Sequence, residues 1–219
     1  NIYFNPMTDS VLEHKGMLDK YIGDAIMAFF NAPIDVENHA RESCLCALDM
    51  SAKMEAVQAQ LMRENLLPKD MAFEIGIGIN TAEVVVGNMG ADNRFNYTVI
   101  GDGVNLASRL EGQTKNYGVK IIISEFTNAL VCDEFLTRKL DTIKVKGKDN
   151  AVGIYELMVD NKFNLNLKKA YESALNLYEN NAFDEAKKAF VLCAKTYNDT
   201  ASALFLQAKI DSFAKCTVI

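Results

Sequence analysis

Short apolar runs alternate with helical periods up to about residue 160, and beyond that point the runs stop. Interleaved strands and helices can only bury their apolar faces by packing helices on a sheet. Several runs are separated by two or three residues, too few for a crossover, so hairpins must be present. The fold class is therefore α/β in composition with α+β wiring, followed by an all-helical extension. The expected domains are residues 1–158 and 160–219.

The periodicities place the elements. A helix is expected over 5–15, stopped by Gly16 as a left-handed cap. Strands over 18–21 and 25–30 flank Gly23-Asp24, and a leading Gly suits a two-residue hairpin turn. Asn31-Ala32-Pro33 breaks the second strand. A long helix over 37–65 carries Ala40, Cys44, Ala47, Leu48, Met54, Val57 and Leu61 at helical spacing. Strands over 73–80 and 84–88 read as a second hairpin, in which Gly76 and Gly78 leave room for a neighbouring chain. A strand over 95–100, a helix over 102–115 and a strand over 120–123 follow. Ser124 is a suitable N-cap for a helix to residue 131. Strands over 135–145 and 152–157 precede helices over 168–180, 183–196 and 199–214.

Composition narrows the function classes. The 219 residues are 49% apolar and 24% charged, which supports a packed core and excludes bulk disorder. With 23 Lys+Arg against 29 Asp+Glu the net charge is −6. General nucleic-acid binding is therefore disfavoured, and a local basic pocket for one small polyanion is not. No run approaches the roughly 18 apolar residues of a spanning helix, and no signal peptide opens the chain, so no membrane contact is expected within it. The five cysteines, Cys44, Cys46, Cys132, Cys193 and Cys216, form no C-x-x-C pair and read as small buried residues of a reducing compartment. Cys44 and Cys46, two apart on a helix, should point to different sides. Cys216-Thr217-Val218-Ile219 has the outline of a prenylation box with an atypical last residue. His14 and His39 read as ordinary histidines.

Two segments concentrate chemistry. Asp24 sits at a hairpin tip, where a rigid carboxylate suits a hard cation; its duller role is to complete the turn. Strict alternation puts Lys20 on the apolar face of Leu18 and Ile22, from which a half-buried ammonium can donate to a polar edge such as a purine. Asn105 and Arg109, four apart on one helix, offer an amide and a guanidinium suited to a ribose oxygen and a phosphate. Arg109 could instead pair with Glu111, and Asn105 could satisfy backbone near the helix start. Lys146-Gly147-Lys148 is a flexible basic turn fit for phosphate, or an ordinary charged turn.

Taken together, five ordered blocks carry a resemblance. They are Asp19-Lys20-Tyr21-Ile22-Gly23-Asp24-Ala25, Ile75-Gly76-Ile77-Gly78-Ile79-Asn80-Thr81, Tyr97-Thr98-Val99-Ile100-Gly101-Asp102, Val104-Asn105-Leu106-Ala107-Ser108-Arg109-Leu110-Glu111 and Val145-Lys146-Gly147-Lys148. Over residues 1–158 the chain resembles the catalytic domain of class III nucleotidyl cyclases of the bacterial adenylate cyclase type. The resemblance implies a ferredoxin-like, palm-like sheet with flanking helices. It implies conversion of ATP to 3′,5′-cyclic AMP and pyrophosphate at a homodimer interface, with two divalent ions, Mg2+ or Mn2+, per site. It also implies roles: Asp24 as a metal ligand, Lys20 and Thr98 as readers of adenine, Asn105 for the ribose, Arg109 for the pentavalent phosphorus and Lys146 for the terminal phosphates. Thr98, where many members carry Asp, resembles the class IIIb subgroup, and Lys20 with Thr98 favours ATP over GTP. The two alternatives are a guanylate cyclase and a non-catalytic nucleotide-binding, dimerising module that presents the helical tail.

Further expectations follow from the same resemblance. The family's first metal aspartate lies on a strand upstream of the helix that opens this chain, so residues 1–219 by themselves are expected not to turn over ATP normally. Ala82 stands where Gly is usual, which predicts a strained or altered turn. Gly103 stands where Thr or Ala is usual and should weaken the helix start. The tail resembles a tetratricopeptide-like unit, with a protein partner or a capping role equally open; fewer than the roughly three repeats of an independent solenoid fit. A cytoplasmic location is implied, with any membrane tether upstream.

Overall fold

The computed structural model describes residues 1–68, 71–91, 93–144 and 151–210. In chain order the elements are α1 (Phe4–Glu13), β1 (Met17–Ile22), β2 (Ala25–Phe29), α2 (His39–Arg63), β3 (Ile77–Ile79), β4 (Val85–Ala91), β5 (Arg94–Ile100), α3 (Asp102–Tyr117), β6 (Ile121–Ser124), α4 (Glu125–Val131), β7 (Thr137–Lys144), β8 (Ala151–Leu157), α5 (Lys162–Glu179), α6 (Phe183–Tyr197) and α7 (Thr200–Phe205). They fall into two compact units. One holds Asn1–Ile75 with Ile79–Ala107; the other holds Gly76–Gly78 and the chain from Ser108 onward, so the β3-β6-β8-β7 sheet and the C-terminal helices share a unit.

In the first unit α1 packs on α2 around buried Met7, Met54 and Val57. The helix α1 ends at Glu13, two residues before the expected end at residue 15. Lys15, not Gly16, takes the left-handed conformation (φ 62°), and the Gly16 amide closes the turn by donating to the Val11 carbonyl at 2.8 Å. Gly16 is required for space, since a Cβ there would lie 2.8 Å from the Phe30 ring. Cys44, Cys46 and Cys193 are buried as expected, whereas Cys132 is exposed.

The β1–β2 hairpin turns at Gly23-Asp24 as expected, with Ile22 opposite Ala25 and Gly23 at φ +64°. Its register slips once. Leu18 faces Ala28 and Lys20 faces Met27, which leaves Asp19 as an extra, bulged residue. The expected shared face of Leu18 and Lys20 therefore does not form, because the bulge interrupts the alternation between them.

The second hairpin is also corrected. β4 pairs with β5, from Val85 opposite Ile100 to Ala91 opposite Arg94. Only two residues separate these strands, so local closure wins over pairing with the more distant 73–80 segment. In the second unit β3 joins β6 instead, and the Ile77 amide donates to the Lys120 carbonyl at 2.8 Å. Gly76 does admit a neighbour: a Cβ there would lie 2.1 Å from Thr114 Oγ1 on α3.

The four-stranded sheet runs β3-β6-β8-β7, with β8 antiparallel to both neighbours. Its core is Leu110, Ile122, Ile123, Leu140 and Ile154, each fully buried. Ser124 caps α4 as predicted, accepting from the Thr127 amide at 3.2 Å. The C-terminal helices gather Tyr171, Phe190 and Phe205, with Phe190 and Phe205 stacked at 4.6 Å. The Tyr171 hydroxyl donates to the Leu140 carbonyl at 3.1 Å, which seats α5 on β7. The helix expected over 199–214 is α7 followed by a π-helical turn, Leu206–Ile210. The basic turn around Lys146 and the terminal segment with Cys216 lie outside the described residues. Among the described residues no helix is long and apolar enough to cross a membrane.

Candidate active site

The bulge in β1 is the starting point. Regular alternation would send Asp19 and Lys20 to opposite faces of the strand. Instead both reach Thr98, a buried residue of β5 at 7% exposure. Lys20 Nζ donates to Thr98 Oγ at 3.0 Å, and Thr98 Oγ donates to Asp19 Oδ2 at 2.7 Å. Lys20 Nζ also lies 3.4 Å from Asp19 Oδ1, as an ion pair that falls short of hydrogen-bond geometry; that oxygen is buried without a hydrogen bond. The Asp19 side chain is 1% exposed and that of Lys20 is 43% exposed. The carboxylate is thus sealed beneath a lysine that still reaches solvent. The structure brings together Lys20 and Thr98, 78 residues apart in sequence. Sequence reasoning missed Asp19, whose only signal was its place beside Lys20.

Asp24 sits on the exposed β1–β2 turn. Burial, and secondarily the negative charge of Asp24, hold the Tyr3 phenol above its ordinary pKa. Asn105, on the exposed side of the first turns of α3, lines an open cleft of ≈ 360 Å³ with Val99, Ile100, Gly101, Asp102 and Val104. Arg109 follows one turn later on the same helix and is exposed. The division between the two units falls between Asn105 and Arg109.

The entry to α3 explains both unusual small residues. Asn80 Nδ2 donates to the Gly103 carbonyl at 2.9 Å. A Cβ on Gly103 would stand 2.5 Å from the Cβ of Ala82. Ala82 and Gly103 are therefore sterically reciprocal: the methyl present on one occupies the space that a methyl on the other would need. Ala82 does not adopt a left-handed backbone, so the strained turn expected there is absent.

Asp24 supplies an oxygen donor of the kind a hard divalent cation takes. Among the described residues no group of three or more His, Cys, Asp or Glu side chains is placed to hold a metal ion.

Comparison with known proteins gives the context of this geometry. Residues 3–158 match the family described as "Adenylate and Guanylate cyclase catalytic domain". The chain is 33% identical to the terminal-differentiation specific adenylate cyclase of Dictyostelium discoideum over 97% of its own length and 10% of that protein's. It is 43% identical to an adenylate cyclase of Anabaena cylindrica over 72% of this chain and 31% of that one. It thus spans a third or less of these curated relatives. Among solved structures it resembles the adenylyl cyclase CyaB from P. aeruginosa (TM-score 0.62, 33% identity, 73% of this chain and 80% of that one). It is equally similar to the guanylyl cyclase Cya2 (TM-score 0.64, 34% identity, 74% and 79%). With its mixed α/β elements and a family match over most of its length, the chain belongs to the adenylate and guanylate cyclase catalytic domains.

Proposed function

We propose that the chain is the catalytic domain of an adenylate cyclase whose parent protein converts ATP to 3′,5′-cyclic AMP and pyrophosphate, residues 1–219 by themselves not sufficing for turnover. The ribose 3′-oxygen attacks the α-phosphorus, the bond to the β-phosphate oxygen breaks, and the hydroxyl proton passes to solvent. The observation that carries the choice of ATP is the Lys20–Thr98 pair at 3.0 Å. An ammonium donor and a hydroxyl oxygen stand side by side, the complement of the acceptor and amino donor on the Watson–Crick edge of adenine.

In this reading Lys20 and Thr98 hold the base, Asn105 orients the ribose, Arg109 stabilises charge on the phosphorus and Lys146 binds the terminal phosphates. Catalysis rests on positioning and electrostatics, since no side chain is assigned as a general base. Mg2+ or Mn2+ supplies charge neutralisation at the phosphates when bound, with Asp24 as one ligand. The sites form between two copies of the chain, and the C-terminal helices offer a surface for a protein partner. Cys44, Cys46, Cys132 and Cys193 are free thiols, which suits the cytoplasm.

The test is a cyclase assay on a parent protein containing these residues, with ATP and GTP, each in Mg2+ and in Mn2+. Cyclic AMP formation well in excess of cyclic GMP supports the proposal. Preferential cyclic GMP formation overturns it in favour of the guanylate alternative, and no product in either metal favours a binding module.

A further inference from the structure

We propose that Asp19 is a specificity-determining positioning residue: it fixes Thr98 as a hydrogen-bond acceptor, and so sets the selection of a 6-amino over a 6-oxo purine. The inference rests on the reading above, in which Lys20 and Thr98 meet the base.

The argument is one of proton counting. A threonine hydroxyl has one proton and two lone pairs. The Asp19 carboxylate can only accept, and its Oδ2 takes that proton at 2.7 Å. The Lys20 ammonium can only donate, and it fills one lone pair of Thr98 Oγ at 3.0 Å. What Thr98 still offers a ligand is its remaining lone pair, an acceptor and nothing else. Lys20 keeps donors to spare beside it.

The pair therefore presents a donor next to an obligate acceptor. Adenine answers with the N1 acceptor and the 6-amino donor. Guanine or hypoxanthine presents the N1 proton and the 6-oxo acceptor, and meets like with like on both positions, which leaves polar groups unpaired. Without Asp19 the Thr98 proton would be free to turn outward and donate to a 6-oxo group. The β1 bulge makes this possible, because it turns two consecutive side chains onto one partner. The burial of Asp19, at 1% exposure, keeps water from taking its place.

The experiment is competition of ATP, GTP and ITP against a fluorescent ATP analogue on the full 219-residue chain, for the wild type, Asp19→Asn, Asp19→Ala, Thr98→Ser, Thr98→Val and Asp19→Asn/Thr98→Val. Binding is read, so turnover is not required. The wild type should favour ATP over both 6-oxo nucleotides. Asp19→Asn is isosteric and can donate its amide to Thr98; it should reduce the ATP preference about tenfold, the value of one hydrogen bond changing sign. Asp19→Ala should move the ratio the same way and serves if the amide variant does not fold. Thr98→Ser keeps the hydroxyl and should keep the selectivity. In the Thr98→Val background the Asp19 substitution should leave the ratio unmoved.

A wild-type preference for GTP overturns the adenylate reading. An ATP preference that survives in the folded Asp19 variants, with all affinities falling together, overturns the role of Asp19 and leaves that reading intact. Failure of the wild type to hold any of the three nucleotides overturns both.

Discussion

Arg138, on β7, donates through Nη1 to Asp199 Oδ2 at 3.0 Å, and so joins a strand of the sheet to the residue that caps α7. Its Nε donates to Glu156 on β8 at 2.9 Å, and its guanidinium lies over the Tyr171 ring at 4.5 Å. The Arg138 side chain is 1% exposed. Burial alone would lower its pKa, and the two carboxylates outweigh that effect and raise it; burial also raises the pKa of Glu156. Asp199 in turn accepts from the Ser202 amide at 2.9 Å, so one carboxylate serves both the cap and the ion cluster.

Removing the cation from this cluster should be costly. Arg138→Met leaves the largely buried carboxylates of Glu156 and Asp199 without their shared cation, and the expected loss is about 3 kcal/mol in urea unfolding. Arg138→Lys should recover little, because an ammonium cannot make the forked contact to Glu156 and Asp199. Replacing Arg138 and Glu156 together by apolar residues of similar volume, with the Asp199 cap kept, should recover part of the loss. If Arg138→Met unfolds at the wild-type urea midpoint, the cluster contributes nothing to stability.

What is legible in the sequence is local. The Gly23-Asp24 turn, the Ser124 cap and the long helix α2 each depend on residues within a few positions of one another, so spacing revealed them. The partner of β4 is not legible in the sequence because strand pairing is a contest between segments, decided by loop closure outside any one window. The Asp19 bulge is not legible for a related reason: register is a property of two strands, and the slip between Leu18 and Lys20 exists only in their pairing with β2. The burial of Arg138 is not legible either, because a charged residue on a strand ordinarily faces water. Only the distant Asp199 and the fold that brings it near make burial possible. Lys20 and Thr98 were legible as motif residues, and their contact was not.

The reciprocity of Ala82 and Gly103 predicts a compensating pair. Gly103→Ala places a methyl 2.5 Å from Ala82 Cβ and forces one of them to move. The overpacking should cost about 1–3 kcal/mol, more than the better helix propensity of Ala returns. Adding Ala82→Gly removes the obstructing methyl, and the double variant should regain most of the loss. A coupling energy near zero between the two substitutions, from thermal or urea unfolding, would show that they do not share that space.

Thiol reactivity should divide sharply along the chain. Burial pushes the thiols of Cys44 and Cys46 up to about 12, and the Asp49 charge adds to the effect at Cys46. Cys132 is exposed at the end of α4. At pH 8 a thiol of pKa near 12 is about 0.01% thiolate, so alkylation there waits on opening of the fold. Peptide mapping after brief maleimide treatment should find Cys132 labelled and the peptide with Cys44 and Cys46 unlabelled until denaturant is added. Equal labelling of these peptides in the native protein would contradict the burial of α2.

The tie between α1 and α2 should weaken in acid. Ser10 Oγ donates to Asp49 Oδ2 at 2.7 Å, and Lys53 Nζ lies 2.8 Å from the same oxygen and 3.0 Å from Glu13 Oε2. Burial works to raise the Asp49 pKa, but the hydrogen bonds from Lys53 and Ser10 prevail and lower it below the ordinary aspartate value. Between its folded and unfolded pKa values Asp49 therefore binds fewer protons when folded, and stability rises with pH through that window. The contribution is complete above the ordinary aspartate pKa and is lost as pH falls through the lower, folded value. Because the pair is partly solvated, the gain should be under about 1 kcal/mol and should shrink in high salt. Asp49→Asn should accordingly unfold more easily than the wild type at neutral pH, with the difference closing as the pH drops below the aspartate range. A difference that stays constant from neutral to acid pH would assign the effect to packing and not to the charge on Asp49.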